Sequence, residues 1–314
     1  MSLALVVSTT SGVARTGGRR TTSTARVSML VRCQLLLYDS ISSFSMRCGL
    51  RLRGWPWPTP QGEWNMEKGV IYAATGHKYV LEAQVSVRSL KKWCPNMSAL
   101  LSTDHGSCSI QEAHSFNGVR WVVRGSPKLT NISAMIHSPY ECTLFLDTDT
   151  YICDDINGMF QWLEWYDILF PFSVRRRTRY NPGNMPDWFT ERSSGAVLYR
   201  KTPEVIELFR RWGRLYKKYH EADGCDSDQV PLRVALFNNK TLRVGTIAPE
   251  YHCYVLCPTT LAGRVHIIHG RGDMEAFASQ VNAHEGIRTY LPGHGIINRE
   301  RFDGAMKLLQ RRDS

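Results

Sequence analysis

Asp147 and Asp149 stand two residues apart directly after the apolar run Thr143-Leu144-Phe145-Leu146. Two carboxylates at that spacing can project to one side and share a hard divalent ion, whose open positions then take diphosphate oxygens. A second Asp-Xaa-Asp, Asp226-Ser227-Asp228, follows Asp223-Gly224-Cys225 and has no strand-like run before it. Spacing alone is thus a weak signal, and context separates the two. The first holds the place of ligand-binding residues in open α/β sheets, beyond the carboxyl end of a strand. The second reads as a loop that caps a helix. His269 ends another largely apolar run, Val265–Ile268, and so also falls at a strand's carboxyl edge, while alternation puts His266 at mid-strand. Taken alone, His269 reads as an ordinary core or surface histidine; brought beside two carboxylates, an imidazole would suit Mn²⁺ better than Mg²⁺, which prefers oxygen.

The elements that must position these groups alternate between strand and helix patterns. Val70–Ala74 reads as a short buried strand, followed by a helix carrying Tyr79, Ala83, Val87 and Leu90 at helical spacing. Strands are expected at Met97–Leu101, Val119–Val123, Cys142–Leu146, Asp167–Phe172 and Ala196–Tyr199, with a helix over 128–137. Cys142–Leu146 is apolar throughout, which marks a central strand. Thr202-Pro203-Glu204 has the chemistry of a helix start: a capping hydroxyl, a preorganised proline and an acid at the positive end of the dipole. Leu208, Phe209, Trp212, Leu215 and Tyr216 form that helix's buried face. A further helix over Asp228–Phe237, strands near Leu242–Ile247 and Val265–Ile268, and a short amphipathic helix after Asn298 complete the pattern. Trp162, Trp165 and Trp212 fall at helical spacing and read as core. The alternation argues for an α/β sheet with helices on both faces.

A chain of 314 residues, 43% hydrophobic and 21% charged, suits one large α/β domain or two small ones. Of the net charge of +11, residues 1–65 carry +6, from eight arginines against Asp39 and Glu63. The remaining +5 is modest for an enzyme that binds an anionic ligand, and nothing in the body of the chain resembles a nucleic-acid stripe. Arg175, Arg176, Arg177 and Arg179 form the one local basic cluster and read as a solvated loop. Residues 1–65 hold sixteen Ser and Thr and no sustained periodicity. Their best apolar run, Met29–Tyr38, is broken by Arg32 and is too short to span a bilayer. This composition fits an organelle transit segment or a start placed upstream of Met66. The expected organisation is an extension over 1–65 and one domain over 66–314. Nine cysteines, an odd number without metal-type pairing, favour a reducing compartment, and Cys253 and Cys257 read as structural. The expected location is the cytoplasm, or an organelle reached through residues 1–65.

From about Gly69 to Arg271 the chain resembles the nucleotide-diphospho-sugar transferases related to glycogenin and glycosyltransferase family 8. Leu144-Phe145-Leu146-Asp147-Thr148-Asp149-Thr150 is close to that family's central motif. Val70–Ala74 with Tyr79 resembles its first strand, which implies that Ala73 and Tyr79 lie by the nucleobase and ribose. Lys128-Leu129 resembles its basic residue near the nucleotide. Ser193-Ser194-Gly195-Ala196-Val197-Leu198 resembles the strand beside the donor sugar, with serine at 193 in place of the usual asparagine. Asp228-Gln229 resembles the pair at the reaction centre, and His269-Gly270-Arg271-Gly272 the segment whose histidine is the third metal ligand. The Lys-Pro-Trp that often follows is absent, and Arg271 stands as its substitute toward the diphosphate. The resemblance implies a GT-A fold, with a mixed, mostly parallel sheet and a Rossmann-like nucleotide-binding half. It also implies metal-dependent transfer, with retention, from a UDP-sugar to a glycan, protein or lipid acceptor whose contacts fall on variable loops such as 174–192.

Two other readings remain. The fold could serve a non-catalytic nucleotide-sugar-binding protein. Alternatively, Asp147 could be a phosphohydrolase nucleophile, since Asp-Thr-Asp-Thr is similar to the haloacid-dehalogenase loop. That loop wants threonine or valine where Tyr151 stands, and it follows the first strand of its domain rather than the fourth.

Overall fold

A computed structural model describes residues 67–173, 180–182 and 184–298. The 1–65 extension, the arginine cluster at 175–179 and the helix expected after Asn298 lie outside the described residues. Seven strands form the main sheet: β1 (Lys68–Ala74), β2 (Ser98–Thr103), β3 (Gly118–Trp121), β4 (Cys142–Leu146), β6 (Ile168–Pro171), β7 (Ala196–Arg200) and β8 (Val244–Ile247). Their order is β3-β2-β1-β4-β7-β6-β8. Only β7 runs against its neighbours, pairing antiparallel with both β4 and β6. The sheet is therefore mixed and mostly parallel. β4 lies between β1 and β7 and is buried at every position, as its unbroken apolar run predicts.

Alternate residues of these strands feed two cores, because successive side chains point to opposite faces. On one face Val70, Tyr72, Leu144 and Leu146 pack with Val80, Ala83, Val87 and Leu90 of α1 (His77–Trp93). After the single-turn α2 (Ile110–Ala113) and β3, the chain crosses to the other face through α3 (Pro127–Ile136). There Ile71, Phe145, Val197 and Tyr199 pack with Ile132 and Met135 of α3 and with Leu208, Phe209 and Trp212 of α4 (Pro203–Asp223). The start of α4 is as expected: Thr202 Oγ1 accepts from Val205 N–H at 3.3 Å, and Pro203 occupies the first turn. Its end is Gly224 at φ 65°, a left-handed position that glycine adopts without strain. Trp212 Nε1 donates to the Asp228 carbonyl at 2.7 Å, which ties α4 to the entry of α5 (Gln229–Phe237).

Two three-stranded sheets accompany the main one. The first joins β5 (Thr150–Ile152), β9 (Cys253–Tyr254) and β11 (Ile267–His269). The second comprises β10 (Thr259–Leu261), β12 (Arg288–Leu291) and β13 (Gly295–Asn298), with α6 (Met274–Val281) between β11 and β12. Strands of two to four residues leave no periodicity to read, and β5, β9, β10, the β12–β13 hairpin and α6 are additions to the sequence-based map. Among the tryptophans, Trp212 is core, and half-buried Trp162 packs edge-on against Tyr251. Trp165 is a correction: it stands 41% exposed just past a 3₁₀ helix, where α-helical spacing no longer predicts burial. Tyr79 is likewise exposed rather than on the packed stripe of α1. His266 precedes β11 rather than standing at mid-strand; its ring stacks on Tyr251 with centroids 4.2 Å apart. Among the described residues, no helix is long and apolar enough to cross a membrane.

Candidate active site

A cleft of about 1020 Å³ opens beyond the carboxyl ends of β1 and β4. Ala73, Tyr79, Lys128, Asp147, Asp149, Ser194, Gly195, Gln229, His269 and Arg271 all line it. Asp228, singled out beside Gln229, does not. It is buried behind the wall, with its Oδ1 3.6 Å from Lys128 Nζ.

Asp147 and Asp149 leave the end of β4 with both flanks of the motif pinned. Asp147 N–H donates to the Gly195 carbonyl at 2.9 Å, and Thr150 Oγ1 donates to the Asp147 carbonyl at 2.8 Å. Thr150 opens β5, which pairs antiparallel with β11 so that His269 lies opposite Thr150. That pairing delivers the imidazole: His269 Nε2 is 3.2 Å from Asp149 Oδ1 and 3.7 Å from Asp147 Oδ2. One ligand atom from each of the three residues lies within 4.8 Å of the others, so the group could hold a metal ion. Two carboxylates and an imidazole are a donor set that fits a divalent first-row ion.

The electrostatics of the group are uneven. Burial pushes the Asp147 carboxyl up to about 6, against the pull of His269 and Lys128. Burial works on Asp149 in the same sense, but the hydrogen bond and charge of His269, with Arg271, hold it below the usual carboxylate range. Burial likewise opposes the charge of Lys128, yet Asp228 and Asp147 more than reverse this and raise it.

Several site residues were missed by the sequence reading. Glu82 takes Arg271 in a two-point ion pair, Nε to Oε1 at 2.8 Å and Nη2 to Oε2 at 3.1 Å, and accepts from Thr148 Oγ1 at 3.0 Å. Arg271 Nη1 also reaches Asp149 Oδ2 at 2.9 Å. Glu82 thereby links α1, the aspartate loop and the segment after β11. Its signal was there to find, since it stands three residues after Tyr79 and shares that helix face. Ser173 Oγ donates to Gln229 Oε1 at 3.1 Å and joins the cleft lining. Cys257, read as structural, also lines the cleft, whereas Cys253 is fully buried. His252 is buried against His269, with His252 Nε2 2.8 Å from His269 Nδ1. Burial, then the neighbouring His269, keeps His252 well below the ordinary histidine range. It precedes a strand of two residues, and nothing local marks it.

The fold and site together define an α/β protein whose cleft carries an Asp-Asp-His group at its sheet edge. No protein-family model matches the chain, and no curated protein matches it. Among solved structures it is similar to the galactosyltransferase LgtC in complex with donor and acceptor sugar analogues. Identity there is 13% over 65% of this chain and 87% of that one, with a TM-score of 0.44. It is also similar to the glycosyltransferase GlyE of Streptococcus pneumoniae TIGR4, at 14% identity over 59% of this chain and 46% of that one, TM-score 0.44. A third is the bifunctional glycosyltransferase WbbM in its apo form, at 11% identity over 68% and 47%, TM-score 0.48. Identities this low and TM-scores below 0.5 leave the chemistry to be argued from the site itself.

Proposed function

We propose that the chain is a metal-dependent glycosyltransferase that moves a hexosyl group from a UDP-sugar to a glycan, protein or lipid acceptor with retention. One observation carries this reading. Asp149 and His269 are far apart in sequence, yet they converge with Asp147 on one point in a cleft of about 1020 Å³, at the upper end of the size range of small-molecule sites. Bound there, Mn²⁺, or Mg²⁺ in its place, would supply positive charge to the departing diphosphate, and stabilising such developing charge is commonly the largest catalytic effect.

The protein's own residues supply the rest. Lys128 and Arg271 add fixed positive charge at the cleft wall. Ala73 and Tyr79 bound the end suited to a nucleobase and ribose, while Ser194 and Gly195 lie beside the ion-holding group, where the sugar would rest. Gln229 faces the cleft, and Asp228 acts from behind Lys128, orienting that ammonium. The same placement of Asp228 favours a second reading, a nucleotide-sugar-binding protein without turnover, because a reacting carboxylate should be accessible.

Screening nucleotide-sugars for binding and hydrolysis, with and without Mn²⁺, decides between the two. Transfer or slow donor hydrolysis that depends on Mn²⁺ supports the enzyme. Mn²⁺-dependent binding without turnover for any donor or acceptor supports the binder, and no metal-dependent binding at all sinks both.

A further inference from the structure

Only one of the two ring nitrogens of His269 faces the carboxylates. Nε2 lies by Asp147 and Asp149, while Nδ1 lies 2.8 Å from His252 Nε2. Two imidazoles that share one short N···N contact hold a single proton within it. An ion at His269 Nε2 takes that nitrogen's lone pair, so the proton of His269 must sit on Nδ1 and His252 must present a bare Nε2 as acceptor.

We propose that His252 is a positioning residue of the metal site: when an ion sits between His269 Nε2 and the two carboxylates, His252 Nε2 accepts the proton held on His269 Nδ1 and so keeps the Nε2 lone pair for the ion. The inference rests on reading Asp147, Asp149 and His269 as an ion-holding group. Three features of the fold build the pair. His252 closes the 3₁₀ turn Pro249–Tyr251, donating its N–H to the Pro249 carbonyl at 3.1 Å, and leads straight into β9, which lies parallel to β11. Tyr254, opposite His269 in that pairing, packs its ring 4.9 Å from the His269 ring. Gly195 closes the other side. A Cβ there would fall 2.4 Å from His269 Cε1, 2.7 Å from His269 Nδ1 and 2.9 Å from His252 Nε2. Residue 195 therefore lacks a side chain because the two rings occupy its space. Both rings are buried, so no water is needed to complete the contact.

Binding of Mn²⁺ alone to the full chain, followed by paramagnetic resonance or calorimetry, tests this with four proteins: wild type, His252→Leu, His252→Gln and Asp149→Ala. His252→Leu keeps the volume and removes the acceptor, and should weaken Mn²⁺ by about ten- to a hundredfold, as loss of a ligating histidine's outer partner does. His252→Gln places a carbonyl oxygen at the same reach and should restore most of the affinity, which a mere packing role would not predict. In wild type saturated with diamagnetic Zn²⁺, which takes imidazole and carboxylate ligands, nitrogen–proton correlation spectra should show His269 protonated at Nδ1. If His252→Leu binds Mn²⁺ like wild type while Asp149→Ala does not, the metal site stands and the inference falls. Absence of Mn²⁺ uptake by wild type overturns the metal reading and this inference with it. Should His252→Leu melt too low to titrate, the wild-type spectrum decides, and a His269 proton on Nε2 overturns the proposal.

Discussion

Asp147-Thr148-Asp149 and Asp226-Ser227-Asp228 share residue types and spacing, yet the first brings its carboxylates together and the second sends them apart. In the first, both side chains are largely enclosed and face His269. In the second, Asp226 is 89% exposed and lies 3.2 Å from the surface His220. Asp228 turns inward to Lys128, and although it stands at the start of α5 its side chain makes no capping bond. The difference lies in the backbone. The first pair is fixed between the end of β4 and the start of β5, with hydrogen bonds to Gly195 and Thr150 on its flanks. The second bridges the left-handed Gly224 that ends α4 and the first turn of α5, so its two side chains leave on different sides. Two residues of spacing set the reach of a carboxylate pair; the elements on either side decide whether the pair converges.

The strongest test removes one converging ligand. A ligand that binds only the native state stabilises it by roughly 2.7 kcal/mol at a hundredfold excess over Kd. Wild type should therefore melt clearly higher with UDP and Mn²⁺ and scarcely higher with UDP and chelator. Asp149→Ala and His269→Ala should each abolish the metal-dependent part, and the double variant should be little worse than either, as expected for residues sharing one ion. Full additivity of the two losses in titrations would break the picture of a common ion.

Next in size is Asp228→Asn. If its charge acts at the reaction centre through or beside Lys128, turnover should fall by about a hundredfold while UDP affinity stays nearly unchanged, since only transition-state interactions are lost. Equal losses in Kd and kcat would make Asp228 a binding residue. Gly195→Ala should follow. A methyl group thrust against His269 and His252 is overpacking, which costs about 1–3 kcal/mol, and calorimetry of the metal-free protein should record the drop in Tm. An unchanged Tm would mean that β7 can draw back from the histidines. Asp226→Ala should do least: an exposed pair with His220 is worth roughly 0–1 kcal/mol, and the UDP–Mn²⁺ melting shift should persist in full. If Asp226→Ala removes that shift and Asp149→Ala spares it, the roles of the two motifs are reversed.

Much of this architecture was legible in the residues because it rests on local physics. The unbroken apolar run of β4 announced a strand covered on both faces, and the Asp pair at its end stands where the cleft opens. Thr202-Pro203 announced the start of α4. His269 was legible as a residue at a strand end, and every predicted cleft residue except Asp228 lines the cleft. The tertiary structure alone decided which groups meet. Glu82 and Arg271 are joined across 189 positions, and His252 finds His269 through the pairing of a two-residue strand with a three-residue one. Gly195 has to be glycine only because two rings from other segments fill the space a Cβ would need. The physical reason is range. Burial periodicity, capping and turn chemistry act within a few residues and leave their mark on the sequence, whereas hydrogen bonds between side chains from distant segments depend on pairings too short to imprint a pattern of their own.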